Sequence, residues 1–192
     1  MKIEEYVLDE NFDKNAQESL KRFEQASENL SKIEKEIFIG VRNIDVSYYE
    51  AYYNYIKADD DHMITFLNFI KICYKNAENG IKLCFYDKRK SEIFENLKNK
   101  SEDAFNKYVE YHERLSRVTN NLRVKLDQHS VGELHETDMI NLQIFLMSID
   151  SMHTQIANDA EKYRNEEIMP LLQSCEEELL FIEKNKPTEF LN

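Results

Sequence analysis

From Phe12 onward, apolar or small residues recur at alternating spacings of four and three: Phe12, Ala16, Ser19, Phe23, Ala26, Leu30, Ile33, Ile37, Gly40, Ile44, Ser47 and Ala51. This is a heptad seam on one helix, and it predicts a first helix over about residues 11–57. The run KADDDH at 57–62 interrupts the pattern, and its aspartates suit the N-cap of a second helix. That helix is predicted over about 61–127, through Met63, Leu67, Ile70, Tyr74, Ala77, Ile81 and Cys84, then Leu97, Ser101, Ala104, Tyr108, Tyr111, Leu115, Val118 and Leu122. At about 1.5 Å per residue it would be about 100 Å long, too long for a compact bundle of this size. Gly80 is the expected bend in it or, on a compact reading, a break.

QHSVGELHETD at 128–138 reads as the next turn, with a capping box in Ser130-x-x-Glu133 and a further cap at Thr137. A third helix, about 138–184, follows through Met139, Leu142, Leu146, Ile149, His153, Ile156, Ala160 and Tyr163. The phase then slips to Ile168, Leu172, Cys175, Leu179 and Ile182, beside Pro170, which deletes a helical hydrogen bond and kinks the axis. The pattern therefore predicts an all-α chain: three long, kinked, antiparallel helices forming one elongated coiled-coil domain over 1–192.

Three segments are apolar on more than one face: VSYYEAYYNYI, MITFLNFIKICY and IMPLLQSCEEELLFI. In an antiparallel three-helix array they share one end. Broad apolar surface of that kind marks an interface, and it predicts a homodimer closed through Tyr48, Tyr52, Tyr55, Phe66, Ile70, Tyr74, Ile168, Leu172 and Leu179. A thicker monomeric core with tyrosine hydroxyls in water is the alternative.

Composition agrees with long helices and short loops. Among 192 residues there are 3 Gly, 2 Pro and no Trp. No run of 18 apolar residues offers a membrane span. The start, MKIEEYVLDENFD, is acidic where a secretion signal is basic and then apolar, so the default expectation is a cytoplasmic protein. Cys73, Cys84 and Cys175 show no CxxC spacing and are expected as buried free thiols.

Charge adds an asymmetry. The chain carries a net charge of −12, but residues 82–126 hold 11 Lys and Arg against 7 Asp and Glu. Residues 1–81 hold 10 against 16, and residues 127–192 hold 4 against 14. The total argues against nucleic acid as a partner, whereas a local basic surface remains available to another polyanion. At 100° per residue, Lys82, Arg89, Lys100, Lys107, Arg114 and Lys125 fall within about 40° of one another on a continuous helix. Glu92, Asp103 and Glu110 lie off that line.

YDKRKSEIFENLKNK (86–100) resembles the basic middle helix of BAR (Bin/amphiphysin/Rvs) domains. NEEIMPLLQSCEEELLF (165–181) is similar to the proline-bearing final helix of amphiphysin-type domains. The resemblance spans nearly the whole chain and rests on architecture more than on motif. It implies a crescent-like homodimer, peripheral on membranes, whose concave face carries the six cations toward anionic lipid. The Asn/Lys/Ile-rich composition and short length further resemble BAR-type proteins of microsporidia described as spore-wall proteins, which implies the spore wall or plasma membrane as a location. Two features depart from the family. The presumed arm tip, DQHSVGELHETD, is acidic, and the N-terminus is no basic amphipathic wedge. The competing reading of the basic row is a solvated face whose stems cover the core and whose heads pair with the acidic third helix.

Catalytic chemistry finds little material. No Glu-x-x-His is present, and the two Asp-x-x-His pairs, Asp59 with His62 and Asp150 with His153, fall in a predicted turn and a core seam. Neither a phosphate loop nor a dinucleotide fingerprint occurs. The expectation is no catalytic residue, no metal and no cofactor: a non-catalytic, curvature-associated scaffold. The alternative is a coiled-coil adaptor or structural coat protein that binds other proteins without binding membrane.

Overall fold

A computed structural model describes residues 1–84, 86–129 and 136–170, together with 173, 174, 176, 177 and 180. The elements in chain order are a 3-10 turn (Ile3–Glu5), α1 (Phe12–Phe38), α2 (Val46–Leu83), α3 (Lys88–His129), α4 (Glu136–Tyr163) and a π-helical turn (Arg164–Ile168) continuing α4. No strand occurs among the described residues. The chain is all-α, with four long helices where the pattern predicts three.

The first correction is a turn inside the predicted first helix. α1 stops at Phe38, and Gly40 takes φ 73°, a left-handed conformation open to glycine and disfavoured for other residues. The N–H groups of Val41 and Arg42 both return to the Glu36 carbonyl, at 3.0 and 3.2 Å, satisfying an acceptor of the last turn. Asp45 then caps α2, its carboxylate accepting from the Tyr48 N–H at 3.2 Å. A small residue on a heptad seam and a helix-stopping glycine look alike in sequence.

The second correction concerns KADDDH, which is helical throughout and lies in the middle of α2. The buried positions pass straight through it: Tyr49, Tyr52, Ile56, Asp60, Met63, Leu67, Ile70, Tyr74 and Ala77. The spacing of three and four never breaks. Asp60 simply occupies a core position.

The third correction replaces the long rod by a hairpin. α2 ends at Leu83, and Asp87 opens α3 by accepting from the Lys90 N–H at 3.3 Å. α3 has 42 residues, about 63 Å. Gly80 lies within α2 rather than at the break. A Cβ there would fall 2.4 to 2.6 Å from the Phe94 ring, so the bare backbone lets Phe94 pack directly on α2. Ala77, Cys84, Phe94 and Leu97, with Ile81 against them, form the small core of this hairpin tip. Cys73 and Cys84 are both buried, as expected of them; Cys175 lies outside the described residues.

Successive helices run antiparallel. Phe23 of α1 stacks on Tyr55 and His62 of α2. Phe66 of α2 meets Tyr108 of α3, and the Tyr108 hydroxyl donates to the Ala160 carbonyl of α4 at 3.1 Å. α4 runs parallel to α2, as the pairs Tyr52–Asp150 and Asp59–His153 show. α2 therefore touches all three other helices. The N-terminal segment crosses the far part of α2 and α3: Ile3 is buried, the Lys71 ammonium donates to the carbonyls of Ile3 and Glu4, and Tyr6 meets Phe105 edge-on at 5.3 Å. The phase slip expected beyond Tyr163 coincides with the π-helical turn, two residues ahead of Pro170.

The residues predicted to face a second copy are largely consumed within one chain. Tyr52, Ile70, Tyr74 and Ile168 are buried, and Tyr48, Tyr55 and Phe66 are half-buried against the same core. Leu172 and Leu179 lie outside the described residues. A four-helix arrangement supplies cover that a three-helix one lacks, and the thicker single-chain core accounts for these seven positions.

Replacing Gly80 by alanine tests the Phe94 contact. Alanine favours a helix over glycine by about 1 kcal/mol, but an added methyl against a buried ring costs about 1–3 kcal/mol. Urea unfolding should show Gly80→Ala destabilised, with Phe94→Leu restoring part of the loss in the double variant. A stabilised Gly80→Ala would mean that the ring does not rest on this backbone.

Candidate functional site

Four consecutive residues of α2 point in four directions, because 100° separates neighbours on a helix. Asp59 faces α4, where its carboxylate lies 2.8 Å from His153 Nε2. Asp60 faces α3: Ser116 Oγ donates to both its oxygens at 3.1 and 2.9 Å, and His112 Nδ1 lies 2.8 Å from Oδ1. That nitrogen sits off the line of a well-directed hydrogen bond, so the His112 contact is chiefly ionic. Asp61 turns back to Lys57 on its own helix. His62 faces α1, 3.4 Å from Ser19 Oγ and stacked on Phe23. A buried polar group is expensive without a partner, and here each neighbouring helix supplies one.

The two histidines of this hub respond to it in opposite ways. The Asp60 carboxylate raises the His112 pKa, outweighing the burial that would lower it. Burial lowers the His62 pKa, against a weaker pull from Asp59. Elsewhere on α2, burial and then the bond to Asp150 push the Tyr52 hydroxyl far up, while burial, against a smaller pull from Arg164, carries Tyr108 of α3 up to about 12.

The residues considered for a metal site are rearranged rather than assembled. Asp59 pairs with His153, His62 with Ser19, and Asp150 with the Tyr52 hydroxyl at 2.6 Å. No group of three metal-ligating side chains forms among the described residues. Sequence reasoning missed the hub because it took Asp59–Asp61 as caps. Its signal was present: the seam of α2 continues through Asp60, and polar His112, Ser116 and His153 stand where they meet it.

The basic row is divided by the fold. Lys82 ends α2, whereas Arg89, Lys100, Lys107, Arg114 and Lys125 lie on α3. Because a turn separates them, Lys82 shares no helical phase with the other five. Glu110, which helical phase sets off the row, reaches both Lys107 at 3.1 Å and Arg114 at 3.9 Å. Lys107 also lies over the Tyr111 ring, and Lys125 over that of Phe145. Arg89 and Lys100 border a groove of about 680 Å³ whose opposite wall carries Glu166, Glu167 and Glu177. Both cations thus face carboxylates across the groove, with Glu92 of α3 on their own side.

A different basic surface emerges at the end of the α2–α3 hairpin. Residues 82–90 contain Lys82, Lys88, Arg89 and Lys90 against one carboxylate, Asp87. Among them Leu83 is 49% and Tyr86 74% exposed. Asp9 N–H bonds Asn68 Oδ1 at 3.2 Å, which sets the start of α1 level with Asn68. Leu83 is fifteen residues further along α2, so the hairpin projects about 22 Å beyond that point.

The hub predicts a pH signature. His112, with its folded pKa raised above an unfolded value of about 6.5, stabilises the fold fully below that pH and loses its contribution as pH rises through the folded value. His62, with its folded pKa lowered, acts oppositely and withdraws stability as pH falls below about 6.5. The melting-temperature penalty of His112→Gln should therefore be larger at acidic than at alkaline pH. Asp60→Ala, which strands both Ser116 and His112, should cost about 3 kcal/mol in urea unfolding. A penalty for His112→Gln independent of pH would remove the ionic reading of the pair.

Compared with protein-family profiles, with characterised proteins and with solved structures, the chain matches none.

Proposed function

We propose that the chain is a non-catalytic, membrane-peripheral scaffold that meets anionic lipid with the tip of its α2–α3 hairpin. One observation carries the reading. In a chain of net charge −12, four cations, one carboxylate and two exposed apolar or aromatic side chains are gathered at the end of a projecting hairpin. Cations near an anionic bilayer contribute about 1 kcal/mol each. Tyrosine suits the headgroup layer, where its ring is covered and its hydroxyl is wet.

The lipid partner is the one implied by the BAR resemblance, and the contact is not. A concave face along α3 needs its cations free, and Lys107 and Arg114 both pair with Glu110. A crescent homodimer would also need an interface other than the seven buried or half-buried residues assigned to it. The tip needs neither.

A second reading, a protein-binding adaptor that does not touch membrane, is favoured by the opposite end. There the α1–α2 turn holds Phe38, Ile39 and Val41 at 90%, 65% and 76% exposure, and α4 presents Ile140, Ile144 and Met147 to solvent on one face.

Co-sedimentation with phosphatidylcholine vesicles, with and without phosphatidylserine, separates the readings. Binding should require phosphatidylserine and weaken as salt rises. Lys82, Lys88 and Arg89 changed together to Glu should abolish it, whereas Lys107→Glu with Arg114→Glu should leave it largely intact. Loss of binding only in the second variant would return the contact to the face of α3, and no binding by the wild type would favour the adaptor.

A further inference from the structure

The heptad seam that starts at Phe12 does not stop at the α1–α2 turn. Ile33, Ile37, Gly40, Ile44, Ser47 and Ala51 keep the alternating spacing of four and three through it, although residues 39–45 are not helical. The turn segment, IGVRNID, has one glycine and no proline, so no residue in it lacks the N–H that a helix needs. Gly40 takes a left-handed φ of 73°, and a Cβ there would meet no atom within 4 Å. The turn is therefore held by backbone conformation and by Arg42, which reaches Glu36 and Asp45 at 3.5 and 3.4 Å, not by packing around the glycine.

α1 is also lightly held. Only Ser19, Leu30 and Ile33 of its 27 residues are buried. It packs chiefly on α2, whose contacts with α3 and α4 are made on other faces. The packing is antiparallel: Ser19 meets His62, and Phe23 stacks on Tyr55 and His62. Facing residues have numbers that sum to about 81, as 19 and 62 do. That relation returns on itself at Gly40. Two copies of a continuous α1–α2 helix, laid antiparallel, would therefore reproduce the α1–α2 contacts between chains. At the two-fold axis Gly40 would face Gly40 of the second copy, where bare backbone permits close approach. Beside it Ile37 would face Ile44 of the second copy, seam position against seam position.

We propose that the α1–α2 turn is a hinge through which two copies exchange α1, each opening the turn into one continuous helix and seating its α1 on α2 of the other. The partner is a second copy because the surface that receives α1 is already matched to it residue by residue. Exchange of an identical element forms and loses few contacts. Its balance is set in the turn, where a left-handed glycine is traded for helical hydrogen bonds. The interface is α1 on α2, not the tyrosine-rich faces expected from the sequence to meet a second copy. Such a dimer carries its two hairpin tips at opposite ends, about 130 Å apart at about 1.5 Å per residue. Either form leaves the tip free, so the exchange does not depend on lipid binding there.

The test is Gly40→Ala in the full chain, with Gly40→Asn as control, followed by sedimentation, small-angle scattering and NMR. Alanine disfavours the left-handed turn and favours a helix, and each dimer contains two such sites. The dimer dissociation constant of Gly40→Ala should therefore fall about a hundredfold or more below that of the wild type. Asparagine tolerates a left-handed φ, so Gly40→Asn should stay near the wild type. In a dimer mixed from 13C-labelled and unlabelled chains, contacts between Phe23 and Tyr55 should run between chains, and the largest dimension should exceed about 130 Å. A folded, monomeric Gly40→Ala, equal dimerisation of both variants, or Phe23–Tyr55 contacts confined to one chain would overturn the proposal. Should Gly40→Ala not fold, the wild type decides. Refolded at millimolar concentration it should yield a separable dimer with the same interchain contacts, and monomer alone would overturn the exchange.

Discussion

Asp60 in the core of α2 is the constraint on which the rest of the arrangement depends. A carboxylate at that depth is tolerable only if other elements bring partners to it, and α3 brings two, Ser116 as a hydrogen-bond donor and His112 as an ionic neighbour, one helical turn apart. Those contacts fix the register of the hairpin. The neighbouring residues extend the same logic, because a helix turns its consecutive side chains in different directions: Asp59 requires α4 and His62 selects α1. A purely apolar seam would allow the helices to slide by a heptad. A polar hub penalises each such slip by stranding a buried charge, as a single buried polar residue fixes register in coiled coils.

With the register set at the middle, the two ends acquire different characters. Beyond the hub in one direction α2 and α3 outrun α1, and the small core of Ala77, Cys84, Phe94 and Leu97 closes the tip. Gly80 matters there because its bare backbone lets Phe94 pack directly on α2. In the other direction α1, α2 and α4 converge on tyrosines, with Tyr48, Tyr49 and Tyr52 lining a small pocket between them. The hairpin end is rich in cations, and the pocket at the far end is bordered by Glu34 and Asp150.

Much of the fold was legible because heptad spacing reports burial directly. Met63, Leu67, Ile70 and Tyr74 on α2, and Leu97 through Leu122 on α3, are inside as their spacing predicts. The breaks were not legible, for a physical reason in each case. Gly40 and Gly80 both sit among small or apolar positions, yet one takes a left-handed φ and ends a helix while the other stays helical beneath Phe94. Only the third dimension separates them. The triple aspartate read as a cap because such residues usually sit at helix ends, and the partners that make it a core element are 52 to 94 residues away. The basic row failed differently. Its angles were calculated on a continuous helix, and the turn at Cys84–Asp87 removed that premise for Lys82, while Glu110 shows that 60° of helical phase does not stop a flexible side chain from reaching its neighbours.

The same reasoning decides how an acidic chain can retain a basic surface at all. Along most of α3 the cations pair with carboxylates of their own helix or of α2, so their fields cancel within a few ångströms. At the hairpin end α2 and α3 contribute four cations within nine residues, among which only Asp87 is acidic. Lys88 there also pairs with Glu92 of its own helix, at 3.9 Å, so the excess is partly offset. A surface of this kind acts at short range, since screening confines an exposed charge to about 8–10 Å at physiological salt. Contact therefore has to be made by the tip itself, where Leu83 and Tyr86 add apolar surface that salt does not screen.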